Sequence, residues 1–162
     1  MDHESYLTSF RERLAADGCT VKDEDLGPVR AVIGYRSDLL PQAMFSKIHL
    51  FTIAAATPEA NAYAMQDFTQ RVGSYAKNAK GQMRGLQSGV TTFAILIADQ
   101  VLPEAVQLAT RPPKLEFAVR TQSAIVDLSA GTVHTFRGRQ LWGFALNGHL
   151  RRKLDLYAPD PT

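Results

Sequence analysis

Apolar residues recur along this chain with two periods, and the alternation between them predicts its elements. Tyr6, Leu7, Phe10 and Leu14 form one helical stripe within His3 to Ala16, and Gly18 stands where such a helix would end. "CTVK" is a short extended run. After the turn "DLGP", "VRAVIGYRSD" alternates, with Val29, Ala31, Ile33 and Tyr35 on one face and Arg30 and Arg36 on the other. "SKIHLFTIAAA" is the next strand. Thr57-Pro58-Glu59 then has the chemistry of a helix start: a capping hydroxyl, a ring suited to the first turn and an acid for the dipole.

The helix predicted from there runs to about Ala79 and buries Met65, Phe68, Val72, Tyr75 and Ala79. "VTTFAILIAD" is apolar at successive positions, which marks a central strand covered on both faces. "LPEAVQLA" is a short helix ended by "RPP". "KLEFAVR" and "SAIVDL" are extended, and "SAG" turns the chain into "TVHTFRG" as a hairpin with a three-residue loop. Leu146, Leu150, Leu154 and Tyr157 line one side of a last helix, with Arg151, Arg152 and Lys153 on its other side. The predicted order is α-β-β-β-α-β-α-β-β-α. It implies one α/β domain, with a mixed sheet parallel in the centre and antiparallel at the edges, and helices on both faces.

Composition changes little in that picture. At 162 residues, 45% hydrophobic and 21% charged, the chain can bury a core and is not disordered as a whole. A net charge of +2 does not by itself imply nucleic acid. Its distribution is less even. Asp2, Glu4, Glu12, Asp17, Asp23, Glu24 and Asp25 outweigh three bases at the start, and bases outweigh acids from Arg111 onward. The two ends either neutralise each other or leave a basic face for an acidic partner. Cys19 is the only cysteine, so no internal disulfide forms and a cytoplasmic location is expected, with Cys19 a structural thiol. "MDHESY" is no secretory signal, and the longest apolar run, "FAILIA", is far too short to span a membrane.

Gly81, Gly85 and Gly89 punctuate "KGQMRGLQSG" at every fourth position. A phosphate loop runs strand, glycines, helix, so that backbone N–H groups converge at a helix start. Here the helix comes first, and neither GxGxxG nor GxxxxGK[ST] is present. The stretch is therefore expected to be a connection whose glycines end the helix through positive φ. Lys77, Lys80 and Arg84 could contact an anion through their side chains, as could Arg151, Arg152 and Lys153.

Asp99 and Asp127 close two strands, where open α/β sheets often bind ligands. They are the first candidates for an enzyme, with His49 and His134 on strands as further ones. The alternative for each acid is a cap or turn, and for each histidine a hydrogen-bonded ring. No metal-ligand spacing, nucleophile elbow or cofactor motif occurs, so no metal and no cofactor is expected. Trp142 is either core or an anchor for a protein partner or a second copy of the chain.

From residue 3 to 99 the element order is similar to the core of the restriction-endonuclease-like fold. That fold's chemistry needs an acid at one strand end and an acid-x-Lys pair on the next strand. Asp38 suits the first position, but "SKIHLFT" has Lys47 and His49 with no carboxylate, so no metal-dependent cleavage of DNA or RNA is expected. "KG…RGLQSGV", "IVDLSAGTVHTF" and "LWG" resemble a prokaryotic protein family with no assigned function, over about residues 45 to 145. The resemblance implies no activity and makes the glycine stretch part of a family pattern. The function expected first is protein interaction or regulation. Anion or nucleic-acid binding on a catalytically silent nuclease-like fold comes second, and a small-molecule enzyme third.

Overall fold

A computed structural model describes residues 1–41, 46–82, 89–139 and 144–162. The elements in chain order are α1 (His3–Ala16), β1 (Thr20–Leu26), β2 (Val29–Leu40), β3 (Ser46–Ala60), α2 (Ala62–Gln82), β4 (Val90–Val101), α3 (Pro103–Ala109), β5 (Lys114–Glu116), β6 (Val119–Asp127), β7 (Thr132–Thr135) and α4 (Phe144–Tyr157). The seven strands form one mixed sheet in the order β1-β2-β3-β4-β6-β5, and β7 also pairs with β6. β3, β4 and β6 are parallel to one another, and the outer pairings are antiparallel. β5 and β7 share the outer edge of β6, one on each half.

Helices cover both faces. α2 and α3 bury Met65, Phe68, Val72 and Ala105 against Ile33, Ile53, Leu96 and Ile125. α1 and α4 bury Tyr6, Phe10, Leu14, Leu150 and Tyr157 against Phe93, Ile95, Ile97 and Val126. Between these layers β4 is buried on both sides from Val90 to Ala98, as its unbroken apolar run requires. Burying each large side chain contributes roughly 1.5–3 kcal/mol. α1 ends at Gly18, whose φ of +82° only glycine adopts without strain. α1 also packs closely on β2: a Cβ at Gly34 would lie 2.8 Å from both methyl carbons of Leu14. Among the described residues no helix is long and apolar enough to cross a membrane.

Four expectations are corrected. Thr57-Pro58-Glu59 is strand rather than helix start. The parallel ladder of β3 with β4 continues to Ala60 opposite Val101, and Asn61 caps α2 by accepting a 2.8 Å bond from the Ala64 N–H. Pro58 drops out of that ladder but costs little, because β2 stops pairing with β3 at Ala54 and leaves one side open. Three strands, β5, β6 and β7, separate α3 from α4 where the predicted order counts two, and the first break falls at Phe117-Ala118, inside "KLEFAVR" rather than after it. The hairpin after β6 spans Leu128–Gly131, one residue longer than expected, since Asp127 pairs with Thr132. Gly81 lies inside α2, and neither it nor Gly89 has a positive φ or a neighbour within 4 Å of a built Cβ. Neither conformation nor crowding explains those two glycines, and Gly85 lies outside the described residues.

Candidate anion-binding site

α4 carries polar residues on two flanks, and each meets a different part of the sheet. His149, Lys153 and Tyr157 are spaced by four and so share one flank. It faces Asp17 at the end of α1 and Asp38 in β2. Asp17 Oδ2 lies 2.6 Å from Lys153 Nζ and 2.7 Å from Arg36 Nη1, and the Tyr157 hydroxyl donates to it. Asp38 Oδ1 lies 2.6 Å from Arg36 Nη2, and its Oδ2 lies 3.1 Å from His149 Nε2. Burial pushes the Asp17 carboxyl up, but bonds from Lys153 and Tyr157 and the charge of Arg36 outweigh it and hold the group below its usual range. Burial opposes the charge on Arg36 too, and Asp38 and Asp17 more than offset it. This network ties α1, β2 and α4 together and leaves little capacity for an outside ligand. Cys19 sits at its edge, with Sγ 3.5 Å from the Tyr157 hydroxyl and its thiol pushed up chiefly by burial, which makes it a poor nucleophile.

The other flank of α4 presents Asn147 and Arg151, four residues apart. Opposite them, β6 alternates, so that Arg120 and Gln122 face α4 while Thr121 and Ser123 face α2 and α3. Arg120, Gln122, Arg137, Asn147 and Arg151 wall a small pocket of about 20 Å³, room for one water-sized group. Burial holds the Arg120 guanidinium below the usual arginine range. Arg151 Nη2 donates to the Arg137 and Gly138 carbonyls at 2.8 and 3.2 Å, which fastens the segment after β7 to the helix. Arg137 reaches Asp155 at 2.7 Å, a pair about half exposed and so worth little. Gln122, buried, donates to the Thr135 hydroxyl at 3.1 Å, which fixes its amide.

The residues singled out from sequence are dispersed. Asp99 faces α1, where His3 Nδ1 lies 3.2 Å away. Asp127 faces the opposite side of the sheet with Ile125, as strand alternation requires. It caps its own turn, accepting from Ser129 Oγ at 2.6 Å and the Ala130 N–H at 2.9 Å, with His134 at 3.5 Å. Burial raises its carboxyl, and these bonds outweigh burial and lower it. His49 pairs in register with Val90, nine residues before Asp99, so about 30 Å of strand separates them. Its ring is buried and held neutral by burial first and Lys47 second, and the Tyr35 hydroxyl lies 2.7 Å from Nδ1. Asp99, Asp127, His49 and His134 therefore do not form one site. Among the described residues no three His, Cys, Asp or Glu side chains are placed to hold a metal.

Lys77 and Lys80 are engaged within the fold. Lys77 pairs with Glu116 at 3.1 Å and lies over the Phe117 ring, and Lys80 donates to the Phe117 carbonyl. Lys153 is spent on Asp17, Arg152 is exposed, and only Arg151 lines the pocket. Arg84 and Trp142 lie outside the described residues. The sequence reading missed Arg120 and Gln122. The available signal was "VRTQSAIVD", a strand whose first half is polar on both faces. No family model, curated protein or solved structure matches the chain.

Proposed function

We propose that this chain is a binding domain that receives the terminal anionic group of a phosphorylated ligand between Arg120, Arg137 and Arg151. The observation that carries this reading is three guanidinium groups on one small pocket. Like charges repel. An arriving oxyanion would offset that repulsion, and arginine suits it because its N–H groups form a planar fork. The pocket has room for one water-sized group, so it would take a single oxygen of that anion and leave the rest of the ligand outside.

Calorimetric titration with inorganic phosphate and pyrophosphate tests this. Binding that falls at least tenfold in Arg151→Gln is expected, and equal binding in that variant would show that the anion does not bind in this pocket. Anisotropy with a duplex DNA oligonucleotide then separates ligand sources. A steep loss of affinity with added salt identifies a nucleic-acid backbone.

A second reading, protein contact, is favoured by the β5–β6 hairpin. Leu115 is 56% exposed and Phe117 81% exposed. Phe117 and Ala118 have φ of 50° and 59° in a two-residue turn that prefers Asn-Gly. Backbone strain held under an exposed aromatic ring is typical of functional sites. Changing Phe117→Asn and Ala118→Gly together should stabilise the fold by about 1–2 kcal/mol while removing any self-association seen by light scattering. Unchanged association would sink this second reading.

A further inference from the structure

β6 supplies a second polar surface on the other face of the sheet. Thr121 and Ser123 form the floor of a groove of about 640 Å³ between α2 and α3. That size is in the range of small-molecule sites. The floor departs from its surroundings. Farther along the same face β6 contributes Ile125, and neighbouring β4 contributes Ala94 and Leu96, all in the core. A polar floor under two helices is stable only if it stays solvated or is hydrogen-bonded. One bond spans it, 3.0 Å between the Thr69 and Ser123 hydroxyls.

The walls match the floor. Gln66 and Gln70, one turn apart on α2, share a face with Thr69, and Gln107 of α3 lines the same groove. Each carboxamide offers both donors and an acceptor. The charge along α3 is ordered. Glu104 lies at its start, while Arg111 and Lys114 follow its end, roughly 10 Å away by helix rise. Lys114 is shared with Glu116 at 3.2 Å, which leaves Arg111 as the main cation there. A ligand complementary to this lining has one anionic group at the Arg111 end and neutral hydroxyls along its middle.

We infer that this groove binds a small phosphorylated polyol, with its phosphate at Arg111 and its hydroxyls on Gln66, Gln70 and Gln107. That chemistry is shared by free sugar phosphates and by the ribose phosphate of a nucleotide. Ribose 5-phosphate and adenosine monophosphate are therefore the probes, titrated into the intact chain and followed by its amide NMR spectrum. Shifts at the Gln66, Gln70 and Gln107 side-chain amides are expected.

Gln66→Leu and Gln107→Leu, both at exposed positions that leave the core intact, should each weaken binding at least tenfold. Arg111→Ala should weaken both phosphorylated probes and leave unphosphorylated ribose unchanged. Arg151→Gln should leave all of these values as they are, which keeps this site separate from the arginine pocket. Tighter binding of the nucleotide assigns the ribose phosphate of nucleotides, and tighter ribose 5-phosphate assigns free sugar phosphates. Absence of shifts at millimolar probe, affinity unchanged in both glutamine variants, or shifts confined to Arg120 and Arg151 would overturn the inference.

Discussion

The two flanks of α4 carry similar residues and do opposite things. On one, Lys153 and His149 meet Asp17 and Asp38, and each of these four side chains has a polar partner within 3.1 Å. On the other, Arg151 meets Arg120 and Arg137 around a pocket. The first flank is structure, in which charges satisfy one another and cross-link three elements. The second brings three arginines to one small pocket, with Asp155 beside Arg137 at its rim. Adjacent basic residues on a helix thus acquire different roles from the strands beneath them, not from their own spacing.

The comparison can be tested from its largest expected effect downward. Asp17→Ala should cost about 3 kcal/mol in denaturant unfolding, because it strands Lys153 in a half-buried setting and leaves Arg36 with Asp38 alone. Gly34→Ala should cost about 2 kcal/mol, since the new methyl displaces Leu14 and with it the helix that delivers Asp17. If that variant is as stable as the parent, α1 has slack and the network is not geometrically fixed.

Acid should weaken the first flank. Asp17 titrates below its ordinary value, so its contribution is complete above the usual carboxylate range. It is lost as pH falls through the lowered folded value. Stability measured from pH 6 downward should therefore fall less steeply in Asp17→Asn than in the parent. Identical slopes would show that the network contributes no pH dependence. Arg151→Gln should change stability least, by under about 1 kcal/mol, because Arg151 is exposed and, among the described residues, bonds to carbonyls. A larger loss would move Arg151 from the binding flank to the structural one.

Much of the fold could be read from particular residues. The Tyr6-Phe10-Leu14 stripe, the doubly apolar "VTTFAILIA" and the alternating "VRAVIGY" each imply an element and a buried face. All three are found there, because side-chain period is a local property of the backbone. The failures were also local signals, overruled by partners distant in sequence. Thr57-Pro58-Glu59 has a helix start's chemistry but is held in β3 by Val101 and its neighbours. The site was far less legible. Lys77, Lys80 and Lys153 are basic in sequence but are already engaged by Glu116, Phe117 and Asp17.

By itself the sequence determined most of the elements, the buried faces of α1 and β2, and the central place of β4. The tertiary structure alone decided which charges neutralise each other and which converge. Asp17 and Lys153 meet because two helices cross the same face of the sheet. Arg120 and Gln122 part from Thr121 and Ser123 because a strand sends alternate residues to opposite faces, here into two different cavities. Hydrophobic burial constrains where each residue's neighbours lie only once the crossovers are set. Until then a charged residue has a sign but no partner.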